Sequence, residues 1–354
     1  MASYNFNTTT SEIEARIDAL LAQMTLAEKI GQMYQADARR GEEAHFAEMI
    51  RAGGLGSLLN VNDVALVNRM QRLAVEESRL GIPLIIGNDV IHGYRTIFPI
   101  PLAESCSWDP ALVQEAARIA AEEASAFGID WTFAPMVDVC REPRWGRIAE
   151  GAGEDTYLGE VMAQARVRGF QSELSTGRKL AACPKHYAAY GAAEAGKDYN
   201  TVDMSERRLR DVYLPPFKAA FEAGAGTVMS SFNELNGVPA TANHFLLTQV
   251  LREEWGFQGF VLSDYNALRE LIPHGLAGDL RTATRLSALA GLDMEMVSPG
   301  YPQHLAELVE AGEVPVAVVE AAVRRILRIK LLLGLFEQPY ADENRAEQAI
   351  LRPE

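Results

Sequence analysis

Cysteine is scarce in this chain of 354 residues. Its three cysteines, Cys106, Cys140 and Cys183, are too few and too far apart for a disulfide framework or a CxxC metal site. We therefore expect three buried free thiols. The sequence also lacks a cluster of metal ligands, a phosphate-binding loop and a redox motif, so nothing in it calls for a cofactor or a metal ion.

Basic residues are also in the minority. The chain carries 33 Lys and Arg against 48 Asp and Glu, a formal net charge of -15. Because nucleic acids and anionic membranes bind concentrated positive charge, this balance disfavours both as partners. No apolar run is long enough to cross a bilayer, and residues 1–16 lack the apolar core of a signal peptide. These features indicate a soluble protein with a neutral substrate and leave its localisation open.

What the sequence does contain is an alternation of short apolar runs with longer amphipathic stretches. Such alternation indicates a parallel sheet, because each parallel connection needs a crossover. Eight runs predict a closed (β/α)8 barrel of the TIM type. A doubly wound open sheet is the alternative, weakened by the missing Gly-rich phosphate turn. The predicted strands are 30–35, 55–60, 83–89, 130–138, 180–187, 227–233, 259–264 and 292–297.

Helix signals divide the chain into one domain and a tail. Thr25 and Glu28 form a capping-box pattern, and Asp109-Pro110 is typical of an N-cap followed by proline in the first turn. Gly334 is a natural stop for the last amphipathic helix. The sequence after Gly334 is polar, with two prolines and weak periodicity. We predict a single barrel domain over residues 1–336 and a linker-like tail over residues 337–354.

Polar side chains gather at the ends of the predicted strands, where barrels of this type carry their active residues. These positions hold Asn60, Asp89, Lys185-His186, Phe232-Asn233 and Ser263-Asp264, and the loop after the fourth strand holds Arg144-Trp145-Gly146-Arg147. Carboxylates accept hydrogen bonds and cations donate them. Binding a sugar requires both, because each sugar hydroxyl gives and takes a hydrogen bond.

Each of these residues also has a plainer interpretation. Asp264, after an apolar strand, could equally be a helix N-cap. A lone Lys-His dipeptide at residues 185–186 could be a solvated pair, and Glu154-Asp155 is typical of the acidic start of a helix. Compatible chemistry at several independent strand ends favours a functional site over these separate explanations.

Five segments at these positions resemble a known family. The chain is similar to glycoside hydrolase family 3, and within it to the bacterial periplasmic-type β-glucosidases, from about residue 12 to about residue 340. The segments occur in family order and are DVIHGYRTIFPIPLA (89–103), FAPMVDVCREPRWGRIAEGAGEDTYLG (133–159), KHYAAYGAAEAGKDYNTVDMS (185–205), VMSSFNELNGVPAT (228–241) and WGFQGFVLSDYNAL (255–268).

The resemblance implies a retaining, exo-acting β-glucosidase that removes terminal non-reducing β-D-glucosyl residues from a β-glucoside or cello-oligosaccharide. Asp264 matches the nucleophile that forms a covalent glycosyl-enzyme. Asp89 matches the carboxylate that holds the distal hydroxyls of the terminal sugar, which implies the exo mode. Arg147 and the pair Lys185-His186 match sugar-binding residues of the innermost subsite.

Further expectations come from the same resemblance. Arg95 matches an arginine near the distal hydroxyls. Tyr265 stands where an outer sugar platform, often tryptophan, is expected. Phe232 stands where a tyrosine hydroxyl commonly lies close to the nucleophile, a hydrogen bond that phenylalanine cannot supply. Cis peptide bonds are expected at Lys185–His186 and, as a second site, at His186–Tyr187.

The general acid is the gap in this assignment. Two-domain members of the family take their acid/base glutamate from a second α/β domain, which we expect in a longer parent protein. Glu194, Asp198 and Asp203, on the loop after the fifth strand, are the local candidates. That loop contains no histidine, which argues against the single-domain β-N-acetylglucosaminidases of the family.

Three alternatives remain open. The first is a sugar-binding barrel that lacks its acid, and the second is a related β-xylosidase. The third is a lyase that forms a Schiff base through Lys185. That chemistry requires a lysine with a depressed pKa in an apolar pocket, whereas carboxylates near Lys185 predict the opposite shift.

Overall fold

The fold is a closed barrel of eight parallel strands, seen in a computed structural model that describes residues 3–40 and 43–350. Six strands form one sheet in the order β10-β1-β2-β3-β4-β5, and β6 pairs with β9. Parallel bridges Tyr187–Ser230 and Leu262–Met294 join these sheets at both edges and close the ring. The barrel strands are Tyr34–Asp37 (β1), Ser57–Leu59 (β2), Ile85–Asn88 (β3), Trp131–Thr132 (β4), Ala181–Ala182 (β5), Thr227–Met229 (β6), Phe260–Leu262 (β9) and Glu295–Met296 (β10). The predicted (β/α)8 barrel is confirmed.

Helices surround the barrel, and a small antiparallel hairpin of Glu234–Leu235 (β7) and Val238–Pro239 (β8) follows β6. The α-helices are Ser11–Leu21 (α1), Leu26–Gln32 (α2), Glu43–Arg51 (α3), Val64–Arg72 (α4), Pro101–Ser105 (α5), Pro110–Ala126 (α6), Thr156–Phe170 (α7), Glu206–Arg208 (α8), Pro215–Glu222 (α9), Ala267–Glu270 (α10), Leu280–Ala290 (α11), Ala306–Glu310 (α12), Val316–Leu333 (α13) and Glu343–Ala349 (α14). The π-helical segments are Leu73–Glu77, Leu209–Tyr213, Phe245–Glu254 and Tyr301–Leu305. Among residues 3–40 and 43–350, no helix has the length and apolar character needed to span a membrane.

The first strand begins later than the sequence predicted. The capping box of Thr25 and Glu28 is present, and the helix that it starts runs on to Gln32. Gly31 lies so close to the backbone of Gly53 that a Cβ atom there would be 2.1 Å from the Gly53 carbonyl oxygen. The predicted strand 30–35 is therefore wrong over its first half. Those residues belong to helix α2, which packs against the chain at Gly53. The strand ends at Asp37 instead.

The fourth and fifth strands have shorter ladders than predicted, and their extended chains continue towards the mouth of the barrel. A bridge between Met136 and Lys185 lies well beyond the two-residue ladders of β4 and β5. Lys185 and Asp138 are therefore held at the C-terminal end of the barrel by extended backbone. This arrangement places charged side chains where the strands converge.

A fully buried lysine closes the N-terminal end of the barrel. Lys330 on α13 donates hydrogen bonds to the side-chain oxygen of Gln32 at 2.6 Å and to the carbonyl oxygens of Gly56 and Pro83 at 2.9 and 2.7 Å. Burial lowers the pKa of Lys330 to about 7, although the charge of Asp130 opposes the shift. The three acceptors belong to the chain just before β1, β2 and β3, so one ammonium group joins three elements.

A buried carboxylate lies at the same end. Both oxygens of Asp293, two residues before β10, are engaged. One accepts from Arg325 at 2.8 Å, and the other accepts from Arg252 and from the backbone N–H of Val261 at 2.7 Å. Only 1% of the Asp293 side chain is exposed.

The three cysteines are free, but they are not all buried. Cys140 and Cys183 are buried, whereas Cys106, which follows the short helix α5 in the long loop after β3, is exposed. The expectation of three buried thiols is corrected at Cys106. Burial raises the pKa of both buried thiols, that of Cys183 to about 12.

The described part of the predicted tail, residues 337–350, lies against the barrel and includes a short helix, α14. Asn68 on α4 donates to the carbonyl oxygen of Ala341 and accepts from its N–H, at 3.0 and 2.9 Å. Ala341 and Ala346 form a small apolar cluster with Val64 and Phe127. The described residues after Gly334, up to residue 350, therefore include a segment that packs on the outer wall formed by α4 and α6.

Candidate active site

A pocket of about 340 Å³ opens at the C-terminal ends of the strands. Six of the eight predicted site residues line it, namely Asp89, Arg147, Lys185, Phe232, Asp264 and Tyr265. His186 is fully buried directly beside them. The pocket therefore brings together residues that lie up to 176 positions apart in the chain, from Asp89 to Tyr265.

Asp264 presents an unengaged carboxylate oxygen. It follows β9 and Ser263, and only 7% of the residue is exposed. Its Oδ1 accepts from the N–H of Tyr265 at 2.6 Å, whereas its buried Oδ2 accepts no hydrogen bond from any residue that the structure describes. The N-cap of α10 is Asn266, so Asp264 does not cap that helix. Burial raises the pKa of Asp264 to about 6, although the charges of Lys185 and Arg147 oppose the shift.

Lys185 forms an ion pair with Asp89 across the pocket. The Nζ–Oδ1 distance is 2.7 Å, and 6% of the lysine side chain is exposed against 51% of the aspartate side chain. Burial lowers the pKa of Lys185, but the charges of Asp89 and Asp264 outweigh burial and leave that pKa raised. A protonated amine is not a nucleophile, so the environment of Lys185 opposes Schiff-base chemistry.

His186 is held in one orientation by Asp138. The backbone N–H and Nδ1 of His186 each lie 2.9 Å from Oδ2 of Asp138, and Nε2 lies 2.8 Å from Nη2 of Arg147. Burial, together with the charges of Arg147 and Lys185, lowers the pKa of His186 well below its usual value, so the ring is neutral. Because a guanidinium only donates, Nε2 must accept from Arg147, and the ring proton lies on Nδ1. His186 therefore does not donate to Asp264, whose Oδ2 is 3.5 Å from Nε2.

The backbone around His186 contains two non-proline cis peptide bonds. The first joins Lys185 to His186, as expected, and the second joins Tyr187 to Ala188. The expected second site at His186–Tyr187 is therefore corrected by one residue.

Arg147 connects His186 to the wall of the pocket. Its Nε and Nη2 donate to the two oxygens of Glu150 at 2.7 and 3.1 Å, and its guanidinium lies 5.7 Å from the ring centroid of Tyr190. Burial lowers the pKa of Arg147, but Glu150 and Asp264 outweigh burial and raise it. A permanent positive charge is thereby fixed beside the nucleophile candidate.

Aromatic side chains form part of the pocket wall. Phe232 is almost fully buried and its ring centroid lies 4.5 Å from that of Tyr199, which is 44% exposed. Tyr265 is half-buried, and its hydroxyl donates to Oδ2 of Asp37 at 3.1 Å. Flat apolar surfaces of this kind suit the C–H faces of a pyranose ring.

Arg95 is the predicted site residue that the structure does not bring to the pocket. Its guanidinium lies 5.2 Å from the ring centroid of Tyr94 and 4.9 Å from that of Phe127, on the outside of the barrel. A tight turn, closed by a bridge between Gly93 and Ile97, directs it there. The sugar-binding assignment of Arg95 is corrected on this geometry.

The sequence did not single out several residues at the site, among them Arg39 and Tyr199, which line the pocket, and three carboxylates. Asp138 ended a predicted strand and could have been found by the same rule that found Asp89. Asp37 was missed because the first strand was placed too early. Glu150 lies in the loop segment after β4 and carries no signal of its own beyond its spacing of three residues from Arg147.

The local candidates for a general acid do not line the pocket. Glu194, Asp198 and Asp203 are exposed, and Asp198 accepts a hydrogen bond from the indole N–H of Trp145 at 2.8 Å. The carboxylates that do line the pocket beside Asp264 are Asp89, bound by Lys185, and Glu150, with both oxygens held by Arg147.

The described residues contain no group of three or more His, Cys, Asp or Glu side chains placed to hold a metal ion. Positive charge in the pocket comes instead from Lys185, Arg147 and Arg39, each paired with a carboxylate. The residues present thus form a ring of charged donors and acceptors around one unengaged carboxylate oxygen.

Comparison with known proteins accounts for this arrangement. Residues 25–329 match the model of the glycosyl hydrolase family 3 N-terminal domain. A periplasmic β-glucosidase of Salmonella typhimurium is 44% identical over 93% of this chain and 43% of its own length. A β-xylosidase of Formosa agariphila is 33% identical over 92% of this chain and 43% of its own length.

Solved structures agree with the sequence relatives. A β-glucosidase from Listeria innocua in complex with glucose is 40% identical, with a TM-score of 0.90 over 96% of this chain and 49% of that one. A mutant of the Listeria β-glucosidase, solved in complex with laminaribiose, has the same TM-score over 98% of this chain and 50% of that one. The chain spans about half the length of the relatives it matches. It belongs to glycosyl hydrolase family 3 and carries that family's N-terminal domain.

Proposed function

We propose that this chain is the sugar-binding, nucleophile-bearing barrel of a retaining exo-β-glucosidase. The observation that carries the proposal is Oδ2 of Asp264, a buried carboxylate oxygen without a hydrogen-bond donor among the described residues. The other charged side chains lining the pocket are paired. A carboxylate that attacks the anomeric carbon must have such a free oxygen. The similarity to β-glucosidases, one of them solved with glucose, supports glucose as the terminal sugar.

The proposed chemistry begins with ionised Asp264. Its free oxygen attacks the anomeric carbon, the bond to the leaving oxygen breaks, and a covalent glycosyl-enzyme forms, which water then hydrolyses. Lys185 and Arg147 keep the carboxylate ionised and offset the negative charge of the site. His186, neutral and fixed by Asp138, is available as a positioning group rather than as an acid.

The exo mode is supported by Asp89. Its carboxylate lines the pocket with 51% of the side chain exposed, and it is fixed on one side by Lys185. The remaining acceptor capacity suits two adjacent hydroxyls of a terminal sugar, which each donate a hydrogen bond to a carboxylate. A chain that continued past this point would meet the ion pair, so the end of the substrate lies there.

The general acid, we infer, comes from outside the described residues. Retaining hydrolysis needs a second carboxyl group about 5–5.5 Å from the nucleophile. Asp89 and Glu150 are engaged with cations, and the three loop candidates do not line the pocket. We propose a barrel over residues 1–336, a tail over residues 337–354, and a second α/β domain in a longer parent protein. Relatives about twice as long support the second domain.

Among the described residues, no second carboxyl group that lines the pocket is free, and this favours one alternative, a barrel that binds sugar without hydrolysing natural glucosides. General acid catalysis is worth about 10²–10⁴-fold in rate. An aryl glucoside with an acidic phenol needs this help little, whereas cellobiose needs it fully. The isolated chain should therefore react slowly with the aryl glucoside and fail with cellobiose. Ordinary turnover of cellobiose by the purified 354-residue chain would place the acid inside the barrel.

A β-xylosidase is not favoured, since the more similar relatives are β-glucosidases.

The test of the nucleophile is covalent trapping. A 2-deoxy-2-fluoro glucoside with an activated leaving group should add one glycosyl mass to the chain, on the peptide that contains Asp264. Asp264→Asn should reduce the labelling rate at least about 10³-fold, because it removes the attacking group. Asp198→Asn, a carboxylate outside the pocket, is the matched control and should label normally. Labelling of another carboxylate, in a folded protein, would overturn the assignment.

A further inference from the structure

A second carboxylate organises the side of the pocket opposite Lys185 and Arg147. Asp37, at the end of β1, is 3% exposed and does not itself line the pocket. Its Oδ1 accepts from the amide group of Asn60 and from the N–H of Arg39, both at 3.0 Å. Its Oδ2 accepts from the hydroxyl of Tyr265 at 3.1 Å and from Nη2 of Arg39 at 2.9 Å.

These three partners come from different parts of the barrel. Arg39 follows β1, Asn60 follows β2, and Tyr265 follows β9, which is separated from β1 by β10. The Tyr265 hydroxyl therefore reaches across one strand to Asp37. All three partners line the pocket, so Asp37 affects the pocket only through them.

The neighbours of Asp37 favour its ionised form. Burial raises the pKa of Asp37, but hydrogen bonds from Arg39, Asn60 and Tyr265 outweigh burial and lower it. The same ion pair raises the pKa of Arg39. The carboxylate is thus ionised when the pocket is in use, and it holds one aromatic ring and one guanidinium in fixed relative positions.

The position of this group decides which part of a substrate it meets. If the proposed function holds, the terminal sugar lies among Asp264, Asp89 and Lys185, and whatever is bonded to its anomeric carbon points out through the mouth. Tyr265 is the next residue after the nucleophile and is half-buried at that mouth. Arg39 has 63% of its side chain exposed there.

Tyr265 stands where the family resemblance already places an outer sugar platform; we propose that Asp37 is the positioning residue that holds this ring and Arg39 together as the leaving-group subsite. This inference rests on the proposed function and deepens it. The ring of Tyr265 packs against the apolar face of the leaving group, and the guanidinium of Arg39 donates to its hydroxyls. The subsite therefore selects a hydroxyl-rich leaving group, a second sugar, over a small or apolar alcohol.

The experiment compares binding of one sugar with binding of two. Glucose and laminaribiose are titrated calorimetrically into Asp264→Asn protein, which cannot turn over the disaccharide, and the ratio of their dissociation constants gives the contribution of the subsite. Added to this background, Tyr265→Phe keeps the ring but cuts its link to Asp37, and Asp37→Ala removes both links. Each should reduce the preference for laminaribiose about 3- to 10-fold, the worth of one net hydrogen bond.

Coupling between the two changes separates positioning from general damage. If Asp37 acts through Tyr265, the double variant Asp37→Ala with Tyr265→Phe should lose no more preference than Asp37→Ala alone. Asp37→Asn, which keeps an acceptor for the Tyr265 hydroxyl, should restore part of the loss. Fully additive losses, or an equal loss of affinity for glucose and laminaribiose, would overturn the proposal.

The chain offers a matched control for the ion pair. Glu142 and Arg144 have the same two-residue spacing and the same bidentate geometry as Asp37 and Arg39, with 68% of the Arg144 side chain exposed, but they do not line the pocket. Glu142→Ala should leave the ratio unchanged. A changed ratio in this control would overturn the assignment to Asp37. The trapping experiment on Asp264 judges the proposed function separately, since labelling does not depend on the ratio.

Discussion

The two ends of the barrel differ in how their buried charged side chains are hydrogen-bonded. At the N-terminal end, Asp293 has both oxygens held by arginines and a backbone N–H, and Lys330 donates three hydrogen bonds. At the C-terminal end, Asp264 and Asp138 each have one buried oxygen that receives no hydrogen bond from the described part of the chain. Unsatisfied buried carboxylates cost stability. The difference separates an end where the buried carboxylate of Asp293 is fully hydrogen-bonded from an end where Asp264 keeps one oxygen open, as the proposed function requires.

An Asp→Asn substitution at each end tests this difference most directly. Asp293→Asn leaves Arg252 and Arg325 without a carboxylate, and should lower the free energy of unfolding by about 3–5 kcal/mol. Asp264→Asn should instead raise it at pH 7, by about 1–3 kcal/mol, because the pKa of about 6 shows that the folded protein holds this carboxylate ionised at a cost. Urea denaturation at pH 7 measures both changes.

The pH dependence of the unfolding free energy tests the sign of the change expected for Asp264→Asn. The pKa of Asp264 is raised by folding, so the contribution of this group to stability should become more favourable as pH falls from 6 towards 4, and Asp264→Asn should lack this contribution. Glu77→Ala, which breaks the exposed pair with Arg51, is the control and should change stability by less than about 1 kcal/mol. If both Asp→Asn variants were destabilised equally, the two ends would not differ as described.

A smaller effect is expected within the pocket, on the affinity for glucose. Asp89→Ala should weaken glucose binding about 10- to 100-fold, corresponding to about 1.5–3 kcal/mol for a charged hydrogen bond, and should affect binding more than the unfolding free energy, because the charge of Asp264 still acts on Lys185. Half of the Asp89 side chain is exposed, so its removal leaves no unfilled core. Calorimetry with glucose measures the affinity. An Asp89→Ala variant that binds glucose as well as the parent would remove Asp89 from the sugar site.

The smallest expected change concerns the protonation of Asp264, the proposed nucleophile. With the pKa of Asp264 at about 6, the rate of glycosylation by an activated aryl glucoside should fall tenfold per pH unit below pH 6 and level off above it. Phe232→Tyr adds a hydroxyl where the family resemblance places a donor to the nucleophile. A hydrogen bond to the ionised form should move this acidic limb down by about one pH unit. An unchanged or upward-shifted limb would show that the hydroxyl does not reach Oδ2.

The sequence predicted the barrel and three charged residues of the pocket because both follow from periodicity and from strand ends. Asp89, Lys185 and Asp264 were found as the last polar residues of apolar runs. Asp37 was not, since helix α2 and the first strand share one apolar stretch and only packing between Gly31 and Gly53 divides them. Arg95 failed for a related reason, because a local turn rather than its motif decides where its side chain points. The pairing of charges also depends on distances that no local pattern contains.

The different exposure of the cysteines offers a way to measure how fast the barrel opens. A thiol reagent added to the native protein meets Cys106 at once, whereas Cys183, between β5 and Lys185, has no exposed surface and a pKa raised to about 12. Modification of Cys183 therefore waits until the barrel separates at β5. The delay between the first and the later modifications, read by mass, reports the rate at which the native barrel opens, and a sugar bound beside Lys185 should lengthen it.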